Sequence, residues 1–254
     1  MSSTRVAATS STGLVRTRNE DSAYVGRWLL AVADGMGGHA AGDVASATVI
    51  EAIRRFDIQA GEPQDLTSLL GDGVRDANAQ LADKVRANPE LTSMGSTLTA
   101  MLLSGRHVAI AHIGDSRAYR LRDGAFTMLT EDHVVGKLVA DPKPAEISEH
   151  LVRFLDARPG WSPDLTLRTV LPGDRYLICS DGLSSFVDAG PIRNVLARTA
   201  DLDQAVADLV ALAYNAGAPD NVTVIAAEMP DGEWHERPGS PLILGSAADV
   251  AALP

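Results

Sequence analysis

"AVADGMGGHAAGDVAS", residues 31–46, is the stretch on which the reading turns. A short apolar run enters a glycine cluster, and a helical pattern follows over 40–56, with Val44, Ala47, Thr48 or Ala52, and Phe56 at helical spacing. Backbone amides at such a strand–glycine–helix junction often hold phosphate. The phosphate loop of nucleotide hydrolases has the form Gly-x-x-x-x-Gly-Lys-Ser/Thr. Gly37 and Gly42 have its spacing, but Asp43 and Val44 follow. A carboxylate where a cation must meet phosphate reverses the electrostatics, so this reading fails. Gly35, Gly37 and Ala40 fit a relaxed dinucleotide fingerprint, with Asp57 near the ribose-binding offset. Against it, Asp34 would face the pyrophosphate, and the later chain lacks βαβ alternation. A third reading makes Asp34 the point. An Asp at a strand end, followed by Gly, offers a carboxylate and a bare backbone carbonyl to a hard divalent cation.

One carboxylate does not make a site, and comparable strand ends recur. "ICSDG" places Asp181 after an apolar strand and before Gly182, and "AHIGDSR" places Asp115 after another. "GAPDNVTV" places Asp220 before a strand, next to Asn221, and "RTRNEDS" sets Glu20 and Asp21 before the strand leading to Asp34. Each alone reads as a turn residue or cap. Together, if the ends converge, they form a self-repelling acidic pocket that needs cations or protonation to persist.

The rest of the chain constrains the setting. Its 254 residues suit one sizeable domain, and 33 acidic against 22 basic side chains give a formal charge of -11. Such a surface repels nucleic acid and anionic lipid, and the densest basic cluster is only "RRF" at 54–56. No apolar run approaches the roughly 20 residues that span a bilayer. The opening "MSSTRVAATSSTG" has no hydrophobic signal core, and a single Cys179 excludes an intrachain disulfide; both point to the cytoplasm. Strands are expected over 5–13, 23–34, 96–105, 107–114, 117–124, 125–130, 164–170, 175–182 and 221–228. Helices are expected over 40–56, 66–87, 191–199 and 203–216, with a mixed, mainly helical stretch at 132–157. Hairpin-linked strands and paired helices predict an α+β layered domain. Residues 230–254, rich in Pro and Gly, read as a poorly ordered tail, with a docked helix at 246–253 the weaker alternative.

Competing chemistries fail on particular residues. Cys179 lies in an apolar strand, and Ser185 occupies the place where a cysteine phosphatase needs Arg. "GDSR" at 114–117 resembles a serine-esterase start, but no Asp-x-x-His block follows near the C-terminus, so Ser116 reads as structural. The histidines show no zinc-binding spacing. His39 reads as a surface residue at a helix start. Asp132 reads as an N-cap beside His133, for which proton donation to a leaving group is a secondary reading. The charge-interleaved segment 75–88 reads as a solvated amphipathic helix.

Taken in order, "GLVRTRNED", "VADGMGGHAAGDVAS", "MGSTLTAMLL", "VAIAHIGDSRAYRLRDG", "LTEDH", "PGDRYLICSDGL" and "PDNVTVIAA" resemble the metal-dependent protein serine/threonine phosphatases of type 2C, in their compact bacterial form. The resemblance covers residues 5–229. It implies a four-layer αββα sandwich: two central antiparallel sheets flanked by pairs of antiparallel helices, with 1–229 as the catalytic domain. It implies Mn²⁺ or Mg²⁺ as cofactor, two ions in the core site and a third in bacterial members. On this chain Asp34 would bridge two ions, the Gly35 carbonyl would ligate one, and Asp181 and Asp220 would complete the first ion's ligands. Glu20 would hold the second ion through water, Asp115 would serve the third, and Arg16 would clamp the substrate phosphate. Asp21 and Asn221 would support the loops. A metal-bridging water would hydrolyse phosphoserine and phosphothreonine on proteins without a phosphoenzyme, opposing a cognate Ser/Thr kinase in signalling. A binding-only relative would need a lost ligand, and none of these residues is missing. The segment 133–160 departs from the family's longer flap and its usual closing run, which leaves substrate contacts from that side open.

Overall fold

The computed structural model describes residues 5–37, 41–135, 151–160 and 162–251. Its strands are β1 (Arg5–Ser11), β2 (Asp21–Val25), β3 (Leu29–Met36), β4 (Gly95–Ser96), β5 (Leu98–Ser104), β6 (His107–Ile113), β7 (Arg117–Arg122), β8 (Ala125–Met128), β9 (Asp164–Thr169), β10 (Arg175–Cys179), β11 (Val222–Glu228) and β12 (Leu242–Gly245). The helices are α1 (Ala41–Ile53), α2 (Pro63–Ala87), α3 (Asp181–Ser184), α4 (Ala189–Arg198), α5 (Leu202–Asn215) and α6 (Ser246–Ala251). One sheet runs β1-β11-β10-β7-β8; the other runs β12-β2-β3-β5-β6-β9, with β4 added beside β3. Every pairing within the two sheets is antiparallel. This is the predicted α+β sandwich.

Along the central strands β10 and β11 successive side chains are buried on alternate faces. In β10 and β11, Tyr176, Ile178, Ile225 and Ala227 point into the layer between the sheets. Leu177, Cys179, Val224 and Ala226 point the other way, into a second core with Ile192, Leu196 and Leu209 of α4 and α5. A sheet covered on both faces explains why these strands read as unbroken apolar runs. Helices α1 and α2 cover the outer face of the seven-stranded sheet. Helix α2 starts with Glu62 and Asp65 in a capping box and Pro63 in the first turn, where its missing N–H costs nothing. It ends at Asn88 before Pro89, where the sequence places the break.

One expectation falls largely outside the described residues, and another needs correction. The first is the stretch read as helical, of which 136–150 are not described; at its described ends Val135 is helical and 151–155 is a bend between two isolated bridges. Leu151 bridges Val134, and Leu155 bridges Ser96. The tail also differs. Rather than lying loose, Leu242–Gly245 pairs with Val25–Ser22 as an edge strand, and α6 packs on α1. Trp234 is buried, its amide donating to the Gly105 carbonyl at 2.7 Å. The apolar side chain and the free edge of β2 outweigh the local Pro/Gly content. Among the described residues no helix is long and apolar enough to cross a membrane.

Candidate active site

Strand direction brings the acidic residues together. β3 ends at Asp34–Met36 beside the start of β2, so that Asp21 faces Asp34 in register. In the other sheet, β10 runs out into Asp181, the first residue of α3, while Asp220 lies just before β11 and Arg16 just after β1. β6 delivers Asp115 to the same end. One cavity of about 620 Å³ results, and Arg16, Glu20, Asp34, Gly35, Asp115, Asp181 and Asp220 all line it, with Leu151 and Phe154 on the wall. His39 lies outside the described residues.

The glycines after Asp34 and Asp181 have a packing reason. A Cβ on Gly35 would stand 2.0 Å from the Gly42 carbonyl oxygen and 2.6 Å from that of Glu20. A Cβ on Gly182 would stand 1.8 Å from the Asn221 carbonyl oxygen. Only glycine permits these close backbone approaches. Asn221 fastens the β1–β2 loop. Its Oδ1 accepts from the Glu20 amide at 2.8 Å, and its Nδ2 donates to the carbonyls of Thr12 and Arg18 at 3.0 and 2.8 Å. Thr97, which the sequence reading passed over, accepts from the Asp34 amide at 3.0 Å through Oγ1 and shares a hydroxyl contact with Ser116 at 2.8 Å. Its only signal was a Ser-Thr-x-Thr run in a strand, which serves equally as core. Ser116 and Cys179 are buried, and burial pushes the Cys179 thiol up to about 12, which makes it inert as a nucleophile.

Five carboxylates face one cation, Arg16, among the described lining residues. Burial, then the neighbouring Asp21 and Asp181, holds Asp34 well above the carboxylate range. Burial, then Asp181, pushes Asp115 up to about 7. Asp21 is raised to about 7 chiefly by burial; Ser180 donates to its Oδ2 at 2.7 Å, while Oδ1 is buried without a partner among the described residues. Burial, then Asp43, raises Glu20. This all-oxygen, charge-frustrated set suits a hard divalent cation. It is not a closed cage. Among the described residues, no three His, Cys, Asp or Glu side chains stand ready to hold an ion, and Asp220 is ion-paired to Arg16 at 2.7 Å. The donor chemistry fits, and Asp220 shares its carboxylate between Arg16 and the Asn221 amide.

Fold and cavity together define a double-sheet α+β protein with an acidic, oxygen-lined site at one end of the sandwich. The chain belongs to the protein phosphatase 2C family, whose model matches residues 16–219. The serine/threonine protein phosphatase PstP of Mycobacterium tuberculosis is 42% identical, over 98% of this chain and 50% of its own length. The present chain thus spans about half the length of that relative. A crystal structure of the M. tuberculosis phosphatase superposes with a TM-score of 0.84 at 42% identity, covering 89% of this chain and 99% of that one. The PstP catalytic domain in complex with two manganese ions superposes with a TM-score of 0.83 at 44% identity, covering 90% and 99%.

Proposed function

We propose that this chain is a metal-dependent phosphatase that hydrolyses phosphoserine and phosphothreonine on proteins. The observation carrying this is the convergence of Glu20, Asp34, Asp115, Asp181 and Asp220 with Arg16 on one cavity. Asp34, the Gly35 carbonyl, Asp181 and Asp220 would hold one Mn²⁺ or Mg²⁺ ion, Asp34 and Glu20 a second, and Asp115 a third. When bound, such ions neutralise phosphoryl charge and lower the pKa of a water towards neutrality. The chain's own part is positioning. Asn221 and Gly35 fix the loops that carry Glu20 and Asp34. Arg16, once parted from Asp220, presents a planar fork matched to phosphoryl oxygens. No buried thiol or hydroxyl serves as a covalent nucleophile in this scheme. A substrate bearing phosphoserine must be supplied by a Ser/Thr kinase, so the enzyme would oppose one.

Phosphopeptide hydrolysis measured with Mn²⁺ and with chelator tests the reading. Activity should require the metal, and Asp34→Asn should lower turnover by about a thousandfold or more while the fold is kept. Unchanged turnover in Asp34→Asn would refute the assignment.

A further inference from the structure

The dipeptide Asp132-His133, read from sequence as a helix start, grips the Asp115 loop from both sides. Arg117, two places after Asp115, forms a two-pronged ion pair with Asp132, Nε to Oδ1 at 2.9 Å and Nη2 to Oδ2 at 2.7 Å. The same guanidinium donates to the Ser184 carbonyl at 3.1 Å, at the end of the short helix that Asp181 begins. On the other side, the His133 amide donates to the Gly114 carbonyl at 2.8 Å, and the Gly114 amide donates to His133 Nδ1 at 3.0 Å. These reciprocal bonds fix the peptide on which Asp115 turns into the cavity.

The ring's orientation is itself determined. Nδ1 accepts the Gly114 N–H, which in the neutral ring leaves the proton on Nε2; Nε2 lies 3.1 Å from Asp164 Oδ2 and 3.0 Å from Arg153 Nη1. His133 is buried, and burial holds it below the usual histidine range, which favours this neutral form. Arg153 closes the arrangement, donating to Asp164 Oδ1 at 2.9 Å. The Val152 amide donates to the His133 carbonyl at 2.9 Å, beside Leu151 of the cavity wall.

We propose that His133 is a positioning residue: its Nδ1 locks the Gly114 peptide and thereby aims Asp115, while Asp164 holds the ring in place. This rests on reading Asp115 as an ion ligand. Residues that orient metal ligands from behind typically change affinity by about 10- to 100-fold when removed.

Two amide substitutions separate the ring's nitrogens. The oxygen of His133→Asn can occupy the Nδ1 position and accept from Gly114; the longer His133→Gln reaches Asp164 instead. Mn²⁺ alone is titrated calorimetrically into the full chain, with thermal unfolding followed in parallel. His133→Gln should weaken the Asp115-dependent Mn²⁺ binding by about 10-fold or more, and His133→Asn should restore it to within about threefold of the native chain. Native binding in His133→Gln, or equal weakening in both, would overturn the proposal. Asp115→Asn provides the separate check. If it leaves Mn²⁺ binding unchanged, the ligand reading itself falls; if it weakens binding while His133→Gln does not, only the positioning role falls. Hydrogen exchange at the Gly114 amide of the native chain needs no variant: protection is expected, and exchange at the rate of an open loop amide would refute the lock.

Discussion

The two ends of β3 and of β10 each meet buried or half-buried aspartates, Asp57 reaching the start of β3 from beyond α1, and the two ends treat them oppositely. At the start of β10, Asp174 accepts from Arg122 Nε at 2.6 Å and from the Leu171 amide at 2.9 Å, with the Tyr176 hydroxyl nearby at 3.3 Å. At the start of β3, Asp57 accepts from the Tyr24 hydroxyl and from the amides of Arg27, Trp28 and Leu29, all within 2.6–2.9 Å. Those carboxylates are saturated with donors. At the far ends of the same strands, Asp34 and Asp181 face other carboxylates. One residue type is thus a rivet at one end of the sandwich and, under the proposed function, an ion ligand at the other. The difference lies in the partners rather than in depth.

Substitution should expose the contrast most sharply at Asp174. Asp174→Ala leaves the Arg122 guanidinium without its buried partner and should cost about 3–5 kcal/mol, which in a chain of this size lowers the unfolding midpoint by about 6–20 °C. Asp34→Asn, measured in chelator, should raise the midpoint, because it removes a mutually repelling charge. Calorimetric scans of both variants would show the opposite signs; a fall in both would erase the distinction.

Acid titration separates two buried groups of opposite sign. Burial, then His133, pushes His112 down to about 4 from 6.5, so the folded chain binds that proton more weakly than the unfolded chain. The stability involved, about 3 kcal/mol, is fully present above the unfolded value and is lost as pH falls from 6.5 towards 4. Asp115, raised from 3.8 to about 7, behaves inversely: its contribution is complete below 3.8 and is lost as pH rises towards 7. Urea midpoints in chelator between pH 4 and 7 should show a shallower acid-side decline in His112→Gln and a shallower decline towards neutrality in Asp115→Asn, the rest coming from His133 and from Asp21, Asp34 and Glu20. Slopes matching the native chain in both variants would contradict the assignment. At the small end, Arg86→Ala removes an i,i+3 ion pair to Asp83 on exposed α2 and should shift stability by less than about 0.5 kcal/mol.

How much of this was legible in the sequence follows from how local each feature is. The central strands announced themselves through apolar runs and glycine turns, and α2 through its periodicity and the Asn88-Pro89 stop. The cavity aspartates were legible because Asp-Gly, Gly-Asp or Pro-Asp at a strand end is a local pattern repeated along the chain. What was missed depends on distant partners. β12 is four residues in a Pro/Gly-rich context, and only the open edge of β2 makes it a strand. Asp132 looked like a helix cap because its true partner, Arg117, lies across a hairpin. Thr97 gave no sign that its hydroxyl would meet the amide of Asp34.

The seam between β12 and β2 has a colloidal consequence. β2 is flanked on its other side by β3, so Leu242–Gly245 is what keeps its remaining row of amides and carbonyls from solvent. A chain shortened before Leu242 would present a bare apolar ladder, the kind of template on which molecules stack edge to edge and leave solution. Those four residues therefore act as a built-in guard against self-association.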